Sequence, residues 1–127
     1  MEEQKQPHWW GVSLAFDLKS CRQDFITNPE KLKLWIKDLV EEIEMEAYGD
    51  PQIVHFGEPG SNKEGWTVCQ LITTSCITLH ANDHTGDCYL DVFTCKLVEN
   101  LEYRIEQHCF EWFECKSLSY EKIYRLA

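Results

Sequence analysis

Between Thr67 and Cys95 the chain gathers most of the side chains that could do chemistry. There are hydroxyls at Thr67, Thr74 and Ser75, imidazoles at His80 and His84, thiols at Cys76, Cys88 and Cys95, and carboxylates at Asp83 and Asp91. A serine hydroxyl is a nucleophile once its proton is taken, an imidazole titrates near neutrality, and a thiol can serve as acid, nucleophile or metal ligand. No pair stands at a spacing that is decisive alone. His80 and His84 with Cys76 or Cys88 make a conceivable metal set, but this His-x-x-x-His lies in a turn-rich segment without a helix to align the rings, so no metal is expected. Each residue also has a plain packing role open to it. Ser75, Thr67 and Thr74 fit ordinary strand positions, His80 a satisfied core histidine, and Cys95 a small buried apolar residue. Spacing by itself leaves the function open.

The elements around these residues are easier to read. Trp9 to Leu18 is a mostly apolar strand, its imperfect alternation pointing to burial on both sides. Asn28-Pro29-Glu30 supplies an N-cap, a proline at the first helical position and an early acid. Leu32, Trp35, Ile36, Leu39, Val40 and Ile43 follow at helical spacing, and Gly49 offers a stop, which predicts an amphipathic helix over 29–48. Gln52 to Phe56 reads as a short strand, 57–65 as an exposed loop, Trp66 to Leu79 as a strand-rich run, and Cys88 to Thr94 as a strand after the break at 81–87. A second helix is expected over 97–109 and a last strand over 110–118. The order β-α-β-β-β-α-β predicts an α+β fold, a two-layer sandwich of mainly antiparallel sheet with two helices on one face. With Trp9, Trp10, Trp66 and Trp112 on strand segments, the other face has apolar surface to hide, and a homodimer packed sheet to sheet is expected.

Composition narrows the function classes. A chain of 127 residues, 43% hydrophobic, suits one domain over 1–127. Its formal net charge of -10 repels a phosphate backbone and attracts cations, so no nucleic acid partner is expected. No apolar run spans a bilayer, and the polar start has neither the basic region nor the apolar core of a signal peptide, so a cytoplasmic protein without a membrane partner is expected. Seven cysteines, an odd number without C-x-x-C spacing, fit reduced thiols better than a disulfide scaffold or zinc ribbon.

Thr74-Ser75-Cys76-Ile77-Thr78-Leu79-His80, followed by Asp91-Val92-Phe93-Thr94-Cys95, resembles the short prokaryotic S-adenosylmethionine decarboxylase proenzymes. These carry Glu-Ser-His-x-x-x-His and then Asp-x-Phe-Thr-Cys. The likeness runs more loosely through Gly11, Leu14 and Asp17. It implies a pyruvoyl cofactor made from Ser75 by self-cleavage between Thr74 and Ser75. The serine hydroxyl attacks the preceding carbonyl, and the resulting ester β-eliminates. The ketone so formed holds substrate as a Schiff base and accepts the electrons left when carbon dioxide departs. The resemblance further implies that His80 removes the α-proton of Ser75, that Thr67 assists processing with its hydroxyl, and that Cys95 is the acid returning a proton to the decarboxylated carbon. Substrate binding is expected at Asp17, Asp83 and His84, and the partner is a small cationic substrate, S-adenosylmethionine, on the route to spermidine.

The sequence departs from that pattern at Thr74, where the family has glutamate, at Cys76, where it has histidine, at Ser13, another histidine position, and over 81–84, which replaces a Thr-Trp-Pro-Glu-like stretch. These changes leave open a relative that decarboxylates ornithine or arginine. They equally leave open a non-processing, non-catalytic homologue that partners an active enzyme.

Overall fold

Alternation and helical period sort the apolar residues of the two long helices and the central strands onto one side, and this decides the architecture. The computed structural model describes residues 9–127; the polar leader ahead of Trp9 lies outside the described residues. In order come β1 (Trp9–Lys19), α1 (Gln23–Ile26), α2 (Pro29–Glu42), β2 (Gln52–Phe56), β3 (Gly65–Ile72), β4 (Ser75–Ala81), β5 (Cys88–Thr94), α3 (Leu101–Phe113) and β6 (Ser117–Leu126). The strands form a six-stranded sheet in the order β2-β3-β4-β5-β1-β6, every neighbouring pair antiparallel. Val12, Leu14, Phe16 and Leu18 of β1, Ile77 and Leu79 of β4, and Leu90 and Val92 of β5 form one core with Leu32, Trp35, Ile36 and Leu39 of α2 and Ile105, Cys109 and Phe113 of α3. The expected α+β sandwich is what forms, with helices on one sheet face. The residues alternating with the core set, among them Ser13, Asp17, Thr67, Cys76, His80, Tyr89 and Phe93, lie on the other, open face.

The start of α2 follows its sequence signals. Asn28 Oδ1 accepts from the backbone N–H of Glu30 at 3.0 Å and of Lys31 at 3.2 Å, with Pro29 next to it, satisfying donors that a helix N-terminus leaves free. The end does not. The helix stops at Glu42 because Glu44 takes the left-handed conformation at φ 57°. Its N–H bonds Glu41 O and the Met45 N–H bonds Val40 O, both at 3.0 Å, the paired closure usually built on glycine. The chain then runs against β3, with Ala47 bridging Ile72 and the Tyr48 N–H on Leu71 O at 2.8 Å. Residues 44–48 are therefore not helical, and Gly49 is not the helix cap.

Three further expectations are corrected. A short extra helix, α1, precedes α2. The run Trp66 to Leu79 is two strands, since Ile72 pairs with Ser75 across a two-residue turn at Thr73 and Thr74, which raises the strand count to six. The expected strand over 110–118 begins only at Ser117, because Phe113 continues the buried α3 stripe of Leu101, Ile105 and Cys109 and meets Trp35 edge to face at 5.0 Å. Tertiary packing overrides the β preference of these aromatics, and Trp112 lies on a helix instead of the sheet.

Candidate functional site

The turn between β3 and β4 sets the first group of side chains. With only two residues to reverse the chain, Thr74 is forced to φ 60°, a region that a β-branched residue rarely adopts and that costs on the order of 1–2 kcal/mol. The Thr74–Ser75 peptide bond follows directly. Ser75 begins β4 on the core-facing side, paired with Thr94 at the end of β5. Its Oγ donates to Thr94 Oγ1 at 3.0 Å, and Thr94, fully buried, also accepts the Lys96 N–H at 2.9 Å. The serine hydroxyl is thus held by a group that is itself held. One residue on, Cys95 Sγ lies 2.7 Å from Thr74 Oγ1. Gly11 makes this possible from the β1 side, since a Cβ there would stand 2.4 Å from Thr94 O and 3.0 Å from Cys95 Cα.

A cavity of about 330 Å³ opens beside this turn between the end of α2 and the strands, walled by Glu44, Glu46, Ile72, Thr74, Ser75 and Lys96. Lys96 Nζ is tied to the Glu44 carbonyl. Arg104 holds the Glu44 carboxylate at 2.6 Å and, by that hydrogen bond first, keeps its carboxyl below the usual range. The wall thus carries the Glu46 carboxylate and the Lys96 ammonium beside a Glu44 already paired with Arg104, a polar lining of mixed charge. The size fits a small-molecule site.

Thr67 and His80 form a second group. They are direct cross-strand partners, and Thr67 Oγ1 meets His80 Nδ1 at 3.2 Å. His80 pairs next with Tyr89, and Tyr89 with Asp17, so Thr67, His80, Tyr89 and Asp17 make one row across the open face. That row lies five residues along β4 from Ser75, about 17 Å at roughly 3.3 Å per residue. It also points away from the face Ser75 uses. Within one chain the structure does not bring His80, Thr67 or Asp17 to Ser75.

Asp83 and His84 lie in the turn between β4 and β5, at the His80 end of the sheet and also away from Ser75. Asp83 Oδ2 meets His55 Nε2 at 2.7 Å, and His84 Nε2 meets Glu64 Oε1 at 2.9 Å. The Gly60 backbone N–H, then His84, keep the Glu64 carboxyl below its ordinary range. Of the residues expected from sequence, then, Thr74, Ser75 and Cys95 converge. Sequence reasoning assigned no role to Thr94, Glu44, Glu46, His55 or Glu64. Thr94 stands inside the quoted Phe-Thr-Cys match, which was its only signal.

All seven cysteines are free. Burial pushes the Cys109 thiol well up and Cys115 up to about 11, and a hydrogen bond that the Cys88 thiol donates to Cys21, together with burial, raises Cys88 strongly. These thiols are packing, as buried cysteine commonly is. Among the described residues no helix is long and apolar enough to cross a membrane.

A family model described as S-adenosylmethionine decarboxylase matches residues 12–126. No curated protein matches the chain significantly. Among solved structures, the chain is similar to the adenosylmethionine decarboxylase from Aquifex aeolicus VF5, at 18% identity and a TM-score of 0.75, over 94% of this chain and 93% of that one. At that identity the likeness is one of fold.

Proposed function

Because the chain belongs to the S-adenosylmethionine decarboxylase family, we propose that it is a pyruvoyl-dependent decarboxylase of S-adenosylmethionine, serving spermidine formation, that cleaves itself between Thr74 and Ser75. The observation that carries this reading is the strained turn, in which the Thr74–Ser75 bond and the anchored Ser75 hydroxyl stand at one cavity, with the Cys95 thiol against the Thr74 hydroxyl. The comparisons point toward neither ornithine nor arginine as substrate, nor toward a non-processing homologue.

In the proposed cleavage Ser75 Oγ bonds to the Thr74 carbonyl carbon, the carbon–nitrogen bond breaks, and the hydroxyl proton ends on the freed amine. Thr94 keeps Oγ in one rotamer for that attack, which lowers the entropy lost in reaching it. Loss of the α-proton of residue 75 then expels the carboxylate of residues 1–74. The dehydroalanine left behind tautomerises to an imine that water hydrolyses, releasing the nitrogen as ammonia and leaving the ketone. A pyruvoyl group at residue 75 supplies a ketone able to hold the electrons released with carbon dioxide. Cys95, beside the turn, is the proton donor to the product carbon, and Glu46 on the cavity wall offers a carboxylate to the substrate's positive charge.

His80 on β4 and Thr67 on β3 lie at the far end of these strands from Ser75 and on the other face, so any part of theirs in processing has to come from a second copy. A homodimer packed through the open sheet face would cover Leu71 and Ile123, each more than half exposed. The decisive experiment is the intact mass of the purified chain, followed by parallel assays with S-adenosylmethionine, ornithine and arginine. Fragments of 1–74 and a ketone-blocked 75–127, with carbon dioxide released from S-adenosylmethionine alone, are expected. A single full-length mass that persists overturns the reading. Co-expression of Ser75→Ala with His80→Ala tests the dimer: cleaved chains should reappear in the mixture, and their absence excludes action of His80 from a second copy.

A further inference from the structure

We propose that His55, Glu64 and Asp83 bind one divalent transition-metal ion of the zinc class, which ties the edge strand β2 and the 57–64 loop to the turn between β4 and β5. The inference does not depend on the decarboxylase reading, because these residues lie at the end of the sheet remote from Ser75.

Each of the three offers one ligand atom, and all three atoms lie within 4.8 Å of one another. His55 Nε2 stands 2.7 Å from Asp83 Oδ2 and 3.7 Å from Glu64 Oε2. Donors around a tetrahedral ion with bonds of about 2.1 Å sit roughly 3.4 Å apart, and the observed separations bracket that value. Small side-chain rotations complete the shell. Two carboxylates and a neutral imidazole carry a local charge that a dication cancels. Asp83 Oδ1, the second oxygen of its carboxylate, is buried and has no hydrogen-bond partner among the described residues. A buried carboxylate oxygen left unmatched is costly, and a cation held by that carboxylate relieves the cost.

The surroundings hold the ligands in place. Glu64 Oε1 accepts the Gly60 N–H at 2.9 Å and meets His84 Nε2, which leaves Oε2 turned to His55. The Asp83 N–H bonds Glu64 O at 3.0 Å, and Asn82 Nδ2 donates to Asn62 O at 2.8 Å. Gly65, next to Glu64, approaches the end of β4 so closely that a Cβ would stand 1.6 Å from Ala81 O. Backbone contacts therefore fix where Glu64 and Asp83 start, and the Trp66 ring, 4.9 Å from that of His55, limits the imidazole. Such support is what keeps ligands oriented in metal sites. An imidazole among carboxylates disfavours magnesium and calcium, which take oxygen, and suits zinc or its neighbours. With three protein ligands and His55 about one-third exposed, a fourth position stays open to solvent.

The full chain, stripped with chelator and kept reduced, is titrated with Zn²⁺ by calorimetry and with Co²⁺ by absorption. One ion per chain is expected, with a rise in melting temperature that grows with free ion and a cobalt spectrum lacking the thiolate charge-transfer band. Glu64→Gln and Asp83→Asn, nearly isosteric, should each weaken affinity by at least about tenfold. Cys69→Ser, at a half-buried thiol elsewhere on the sheet, should leave it unchanged. Absence of stoichiometric binding to the parent chain overturns the proposal, whatever the variants do. So does a thiolate band, or an affinity indifferent to both carboxylate changes; either result would leave the cluster as a hydrogen-bonded His55 between two acids.

Discussion

Replacing Thr74 by glycine separates strain from chemistry at the proposed cleavage bond. Thr74 sits at φ 60°, where a β-branched residue pays about 1–2 kcal/mol and glycine nothing. Glycine loses more freedom on folding, which offsets about 0.5–1 kcal/mol of that relief. It also removes the hydroxyl that bonds Thr73 O at 2.6 Å and Cys95 Sγ at 2.7 Å, so global stability should stay within about 1 kcal/mol of the parent. The cleavage rate should respond more. If attack by Ser75 Oγ begins to open the turn, the parent enters the reaction with its strain already in place, and removing 1–2 kcal/mol from the ground state slows cleavage by roughly 5–30-fold. Thr74→Ser keeps the hydroxyl and most of the strain and should remain within about threefold of the parent, since left-handed geometry is costly for any residue with a Cβ. The assay is the loss of full-length mass with time after synthesis, read beside thermal melts of both variants. A glycine variant that cleaves as fast as the parent or faster would show that strain at Thr74 contributes nothing to the reaction.

Ser75→Ala should abolish cleavage and decarboxylation together, since no ester and no ketone can form without the hydroxyl; any turnover by the uncleaved chain refutes the role. Cys95→Ala should leave much of the cleavage intact yet lower turnover by on the order of 10² to 10⁴, as expected when a positioned acid is lost. Parent-rate decarboxylation by a folded, cleaved Cys95→Ala protein would make Cys95 a packing residue only. Trp35→Ala, at a fully buried ring stacked edge-on against Phe113, should cost about 3–5 kcal/mol and lower the melting temperature by roughly 10–20 °C; a drop of only a few degrees would contradict the assigned core.

The amino-acid sequence by itself determined the layers. Asn28-Pro29 and the period of Leu32, Trp35, Ile36 and Leu39 specify α2, because caps and periodicity are local signals set by backbone geometry. β1 is legible as a strand, but its imperfect alternation points to burial on both sides, and the structure buries only the Val12, Leu14, Phe16 and Leu18 face. The serine, the thiol and their interval were legible too. What only the tertiary structure decided is where chains reverse and which side chains meet. Glu44 and Thr74 both take left-handed backbone that their types disfavour; no propensity announces such positions, and they hold because the surrounding contacts over-determine them. One places Glu44 and Glu46 on the cavity, the other sets the Thr74–Ser75 bond at a turn. Likewise, residues five apart in one strand, Ser75 and His80, look close in sequence yet face opposite sides of the sheet, since side chains alternate at each step and the strand carries them apart at roughly 3.3 Å per residue. His55, Glu64 and Asp83, scattered in sequence, meet only because antiparallel pairing brings β2, β3 and the turn after β4 to one end of the sheet.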